Sequence, residues 1–366
     1  MFISKLSLTT FRSYNNLELE LNPGLTIFIG RNGEGKTNIV EAILYLSFLS
    51  SHRVSSDQPL VQLGSASGYI RAQTKLPDRE VLIELEINSE RANRARINQN
   101  LVRSQKEIFG IIQAVYFSPE DLDLVRGDPS ERRKFIDQLL ILRSPRIAGV
   151  ISDYERSVRQ RNSLLKSRAS TESLSAWDEQ VANFGGEIIA TRLQALKDFE
   201  PIFQSVYREI APQKTAFINY KSSIEEPTLN SEENKNKILE RMHLTRTSEI
   251  ERGLTLTGPH RDDLLLNLGE HLVKGYASHG ESWSIALSLK LATYQLLVND
   301  GLKPILILDD VFSELDEERR VQLIKLAKSA EQTFITVAVE NDLPKELLGD
   351  KFLVKSGQAT KIEVGE

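Results

Sequence analysis

The chain has 366 residues, 40% hydrophobic and 27% charged, with no cysteine and a net charge of −5. That length supports two or three domains with a sizeable core, and the lack of cysteine excludes disulfides, thiolate metal sites and cysteine nucleophiles, which suits a reducing cytoplasm. The five histidines (His52, His243, His260, His271, His279) show no metal-ligand spacing, no signal-peptide pattern opens the chain, no apolar run nears the ~20 residues of a membrane helix, and the acidic balance leaves nucleic-acid binding to local patches.

Residues 1 to about 120 read as mixed and strand-rich, with strands over 2–8, 17–21, 25–29, 81–87 and 111–117. The strand at 25–29 runs into Gly30-Arg31-Asn32-Gly33-Glu34-Gly35-Lys36-Thr37, which satisfies G-x-x-x-x-G-K-[ST]. Helical spacing at Ile39, Ile43 and Leu46 follows. Strand, tight turn and helix are the context this motif needs. Its backbone N–H groups and the helix N-terminus would cradle a triphosphate. Glycines 30, 33 and 35 permit close approach and positive φ. Lys36 would reach the β- and γ-phosphates, and Thr37 would ligate Mg²⁺.

The middle changes character. Asp128, Pro129 and Glu131 read as a helix start, with Asp128 as the cap. Apolar spacing continues through Phe135 and Leu139, then Ile147 to Leu165, and again from Trp177 to Phe199. This predicts a helical hairpin with its tip near 167–175. Residues 222–238 read as a flexible connection, and strand-rich character returns from about 250.

Residues 304–310 form an apolar run ending in Asp309 and Asp310, the pattern of a buried parallel strand. Asp309 falls at the C-terminal end, where such sheets hold ligands; its expected role is Mg²⁺, and Asp310 would polarise the attacking water. It lies 273 positions after Lys36, which suggests one ATPase head assembled from both chain ends. Just before a helical run stands Ser278-His279-Gly280-Glu281, a helix-start anion site in which a plain N-cap role is also open. Its place about 30 residues before the carboxylate strand resembles ABC-type ATPases. In that class the signature serine touches the γ-phosphate held by a partner copy. The resemblance therefore implies an ATP-dependent homodimer, with Ser278, Gly280 and Glu281 acting in trans.

Several longer segments carry a more specific likeness: residues 10–14, 30–41, 116–122, 132–137, 258–263, 276–278 and 308–316. On these the chain resembles the RecF family of DNA-repair ATPases, relatives of SMC heads, over nearly its whole length. The resemblance implies a cytoplasmic protein of DNA repair and replication. It would bind DNA in an ATP-dependent manner, favour duplex beside single-stranded gaps, hydrolyse ATP slowly, and help load recombinase with RecO and RecR partners. The family commonly has S-Q-G-Q-Q-R where this chain has Ser278-His279-Gly280-Glu281-Ser282-Trp283; Ser and Gly remain. No histidine follows the last core strand, and Glu340 occupies that neighbourhood.

The expected fold is α/β, an ABC-type head with an inserted helical arm. The expected domains are 1–125 (phosphate-loop lobe), 126–245 (arm) and 246–366 (signature and carboxylate strand). Two stretches run against the acidic whole. Residues 91–106 hold Arg91, Arg94, Arg96, Arg103 and Lys106 without an acid; residues 131–170, including Arg132 and Arg133, hold ten Lys/Arg against four Asp/Glu, net +6. These are the candidate contacts to DNA phosphates, with a solvated helix face as the alternative for 131–170. The rival functions are a transporter's nucleotide-binding subunit and a module that uses ATP structurally, without turnover.

Overall fold

The computed structural model describes residues 1–167 and 171–362. The chain divides into two compact units: Met1–Asp121 with Leu289–Glu366, and Leu122–Ser288.

The first unit joins both chain ends around two six-stranded sheets. One follows the order of Tyr14–Glu20, Phe2–Phe11, Ser67–Lys75, Glu80–Asn88, Arg94–Ile97 and Asn100–Leu101, all antiparallel. Its strand Glu80–Asn88 alternates buried and less buried residues, as the sequence predicted. The other sheet runs Gln358–Ile362, Asp350–Lys355, Gly24–Ile29, Gln332–Val337, Ile305–Asp309 and Ala114–Phe117, parallel except at its first pair. The strands Ile305–Asp309 and Gln332–Val337 are buried at every position, so their sequences show no alternation. The helix Lys36–Phe48 is apolar nearly all round, the property of a helix enclosed by protein. Its Ile39, Ile43 and Leu46 join one core cluster with Phe28, Ile307 and Phe334 of the parallel sheet and Leu8, Ile70 and Leu85 of the antiparallel one.

The second unit contains the helices Pro129–Arg143, Ile147–Lys166, Thr171–Ile210 and Ser231–Arg252, with a small sheet of Ala216–Lys221, Asp263–Leu268 and His271–Leu272. The helix Ile147–Lys166 packs along Thr171–Ile210, so the hairpin forms; its expected tip falls partly on residues 168–170, outside the described residues.

Three expectations need correction. Residues 231–238 are helical, not a flexible connection: Asn230 caps the helix by accepting from the amides of Glu232 and Glu233, and Asn234, Ile238 and Met242 form a buried stripe. Asp128 holds the N-cap position, yet its side chain makes no cap bond. Residues 246–288, read with the head, lie in the second unit because Asp263–Leu268 pairs with Ala216–Lys221.

Candidate nucleotide site

The phosphate loop leaves the parallel sheet at Ile29 and enters its helix at Lys36. Gly33 and Gly35 have φ of 87° and 112°, the left-handed region that side chains disfavour. A Cβ on Gly35 would also stand 2.8 Å from the Tyr14 hydroxyl and 2.9 Å from Ser13 Oγ. Tyr14 donates to the Gly35 carbonyl at 3.1 Å, so the hairpin at residues 11–14 braces the loop. Glu34 accepts from the Ser356 amide at 2.5 Å, while Arg31 and Asn32 are exposed. Lys36 is buried, with Nζ donating to the Gly30 carbonyl at 2.8 Å and lying 3.7 Å from Asp310 Oδ2. The ammonium is thus curled inside the loop, where phosphate oxygens can take over its contact.

Opposite Lys36 the two aspartates divide. Asp309 is 5% exposed and held on both oxygens: Thr336 (2.5 Å) and Thr37 (3.2 Å) donate to Oδ1, and Tyr116 (3.0 Å) donates to Oδ2. Burial pushes its carboxyl above the usual range and Asp310 adds to this, while the hydroxyl donors oppose it. Asp310 is more open, with its side chain 34% exposed and φ at +51°, a strained value for a non-glycine residue. Its amide donates to the Thr336 carbonyl (3.2 Å) and Oγ1 (3.0 Å), which holds the bend. No cluster of three or more acidic or histidine ligands occurs among the described residues. One carboxylate beside one threonine hydroxyl is a sparse hard-oxygen set. It fits Mg²⁺, which keeps several waters and takes other oxygens from substrate phosphates.

Sequence reasoning missed the anchor behind this site. Glu41, on the phosphate-loop helix, is fully buried. It takes a two-point contact from Arg12 (2.8 and 2.6 Å), accepts from Ser51 at 2.5 Å, and lies 3.5 Å from Arg53. A charged residue inside an apolar helical run was the only local sign of it.

In the second unit, Ser278 and Glu281 close a capping box at the helix His279–Asn299. The Ser278 amide donates to Glu281 (2.8 Å) and the Glu281 amide to Ser278 Oγ (3.2 Å). Lys214 pairs with Glu281 at 2.5 Å and, with Ser278, holds its carboxyl down at about 2. The departures from the common signature also have structural places. Trp283 is buried, and Ser282 donates to the Ser278 carbonyl while accepting from Arg126. Glu340 pairs with Lys351 at 2.5 Å.

The basic stretches separate. Arg91, Arg94, Arg96 and Arg103 are exposed, and Arg94 and Arg96 share a face of their strand. Their partners in register are Glu86 and Glu84, and Glu84 also pairs with Arg71, so acids interrupt that face. Arg132 is not available for DNA: it is buried and holds Asp263 through two contacts of 2.8 and 3.0 Å. Arg133 is half-buried and donates to the Asp262 carbonyl at 2.9 Å. The segments 132–137 and 258–263 in fact meet each other. Arg192 bridges them, holding Asp137 (2.9 Å) and the Pro259 carbonyl (2.8 Å). Tyr154 contacts His260 Nδ1 at 2.5 Å, and Tyr220 donates to the buried Asp262 at 2.5 Å.

A phosphate loop and a carboxylate strand at the same end of a parallel sheet built from both chain ends, with one strand between them and a helical unit inserted between them in the sequence, define an ABC-type ATPase head of the SMC kind. The family described as "RecF/RecN/SMC N terminal domain" matches residues 2–358. Among curated relatives, "DNA replication and repair protein RecF" of Streptomyces avermitilis is 46% identical over 373 residues, spanning 99% of this chain and 100% of the relative. Its counterpart in Kineococcus radiotolerans is 46% identical over 391 residues, with 99% and 100% covered. The chain belongs to the RecF family. Among solved structures, the recombination mediator protein RecF-ATPrS in the RecFOR pathway superposes with a TM-score of 0.90 at 29% identity, covering 99% of this chain and 98% of that one. An Smc head bound to the C-winged helix domain of ScpA matches at 0.59 and 16% identity over 99% and 97%, a likeness of fold.

Proposed function

We propose that this chain is an ATP-gated DNA-binding protein of replication and recombinational repair. The observation that carries the reading is the convergence of Lys36, Thr37, Asp309 and Asp310 at one end of a parallel sheet. Lys36 and the loop amides bind the β- and γ-phosphates. Thr37 and Asp309 hold Mg²⁺, which neutralises phosphate charge when bound. Asp310, open and held by its strained backbone, orients the attacking water. The exposed Ser278, with Gly280 and Glu281, meets the nucleotide of a second copy, so ATP joins two chains and hydrolysis frees them. The weak, DNA-stimulated turnover serves this switching. The phosphate loop and the carboxylate strand act from the first unit, and the helical arm and the signature from the second. Duplex DNA and its junctions with single strands, RecO- and RecR-type mediators, and a cytoplasmic setting complete the assignment. They are supported by the family and, for DNA, by the exposed Arg91, Arg94, Arg96 and Arg103.

Sedimentation with and without ATP and Mg²⁺ tests the reading. Wild-type chain is expected to dimerise only with nucleotide. Ser278→Arg is expected to bind ATP and stay monomeric, because bulk and charge fall at the contact between copies. Asp310→Asn is expected to bind ATP and dimerise, with hydrolysis lost. Dimers of Ser278→Arg, or a wild type that stays single at saturating ATP, would refute the model of two copies sharing nucleotide.

A further inference from the structure

The hydroxyl of Tyr116, on the strand Ala114–Phe117, donates to Asp309 Oδ2 at 3.0 Å and lies 3.0 Å from His52 Nε2. The Tyr116 and His52 rings pack with centroids 4.5 Å apart. A phenol has one proton to give. With that proton on Asp309, the phenol oxygen accepts from His52, so the imidazole carries hydrogen on Nε2. The backbone of Tyr116 is fixed as well: Lys290 Nζ donates to its carbonyl at 2.9 Å and pairs with Asp121 at 2.8 Å. On the other side, His52 sits between Ser51 and Arg53, both bound to Glu41 of the phosphate-loop helix.

We infer that Tyr116 and His52 are positioning residues of the ATPase: the chain from His52 through Tyr116 to Asp309 Oδ2 fixes the carboxylate's rotation so that Oδ1 faces Thr37. This rests on the assignment above of Asp309 and Thr37 to Mg²⁺. Neither residue belongs to the phosphate loop, the carboxylate strand or the signature. Without Tyr116, Thr336 and Thr37 pull on a single oxygen, and the carboxylate is free to turn about its terminal bond. Outer partners of this kind commonly change metal affinity tenfold or more.

Binding of a fluorescent ATP analogue, measured in EDTA and across a Mg²⁺ series, tests the inference. Tyr116→Phe keeps the ring packed on His52. It is expected to leave binding in EDTA unchanged and to raise the half-maximal Mg²⁺ concentration about tenfold. His52→Ala is expected to raise it about threefold, the loss of a weaker neutral contact. His52→Gln, whose amide still donates, should restore it. In the Tyr116→Phe background His52→Ala should add nothing, since it acts only through the phenol. A Mg²⁺ dependence unmoved by Tyr116→Phe, or a His52→Ala effect that persists in the double variant, overturns the inference while leaving the ATPase reading intact. A wild-type chain that binds no nucleotide in either condition overturns both.

Discussion

Both units carry charged motifs, and the nucleotide site of the first uses its charges differently from the frame of the second. In the first unit the charges of the phosphate loop and the carboxylate strand gather at strand ends and keep capacity to spare, while Arg12 and Glu41 satisfy each other behind them. Lys36 is curled onto a loop carbonyl, Asp310 is one-third exposed, and Asp309 is held by hydroxyls. In the second unit the motif charges are consumed by partners within the unit, and so is a buried arginine outside the motifs. Arg132 holds Asp263, Arg192 holds Asp137, and Arg161 is fully buried against Asp178, Glu249 and Thr255. A charged segment is therefore evidence of a ligand only where partners within the chain leave its charges unsatisfied. Where the partners are present, as for Arg132 with Asp263 and Arg12 with Glu41, the same signal marks internal framework.

This contrast can be broken at either end. The largest expected effect is a crossed pair of substitutions. Lys36→Ala should weaken ATP binding by on the order of a hundredfold with thermal stability little changed. Arg132→Ala strands Asp263 and should cost about 3–5 kcal/mol of stability, with ATP affinity in the folded fraction preserved. Calorimetric ATP titration and urea unfolding read the two; if either variant moves both quantities, the division between open and satisfied charges fails.

A smaller effect comes from His260. Burial pushes it down to about 4, with Arg261, Arg133 and Arg161 adding their charge and the Thr255 carbonyl opposing. The unfolded chain takes up this proton near pH 6.5, whereas the folded chain refuses it until about pH 4. Stability is thus complete above pH 6.5 and falls with acidification by up to about 1.4 kcal/mol per pH unit, until the folded site protonates too. Urea midpoints at pH 7 and 4.5 should show this loss, and His260→Asn should remove it; an equal acid loss in both proteins would assign the effect elsewhere.

The smallest effect concerns DNA. Replacing both Arg94 and Arg96 with Ala should reduce the slope of log affinity against log salt by at most about 2 on duplex, since Glu84 and Glu86 already offset part of their charge. A full loss of binding would mean that the face is the main DNA surface despite its acids.

What could be read from the sequence was local. The phosphate loop and the apolar strand ending at Asp309 declare themselves by spacing and periodicity within ten residues. Partners 100 or more positions apart do not. Counting charge over 131–170 gave an excess of cations, but not the fact that Asp263 lies 131 positions from Arg132 and neutralises it. The helix Ser231–Arg252 was hidden by its polar composition; only Asn230 at the cap and the narrow stripe through Ile238 and Met242 mark it. Glu41 was counted among the motif residues without a role, because its ligands Arg12 and Ser51 flank it on separate loops. The three hydroxyls around Asp309 come from three separate segments of the first unit, and no one-dimensional pattern joins them.

The strand that launches the phosphate loop, Gly24–Ile29, is flanked in its sheet by Gln332–Val337 and Asp350–Lys355 alone, and 308 positions separate the paired Gly24 and Gln332. On a ribosome, the nucleotide-gripping turn therefore emerges long before either sheet neighbour of its strand. A polypeptide terminated before residue 305 would display the whole glycine motif yet lack Asp309, Asp310 and Thr336 opposite it.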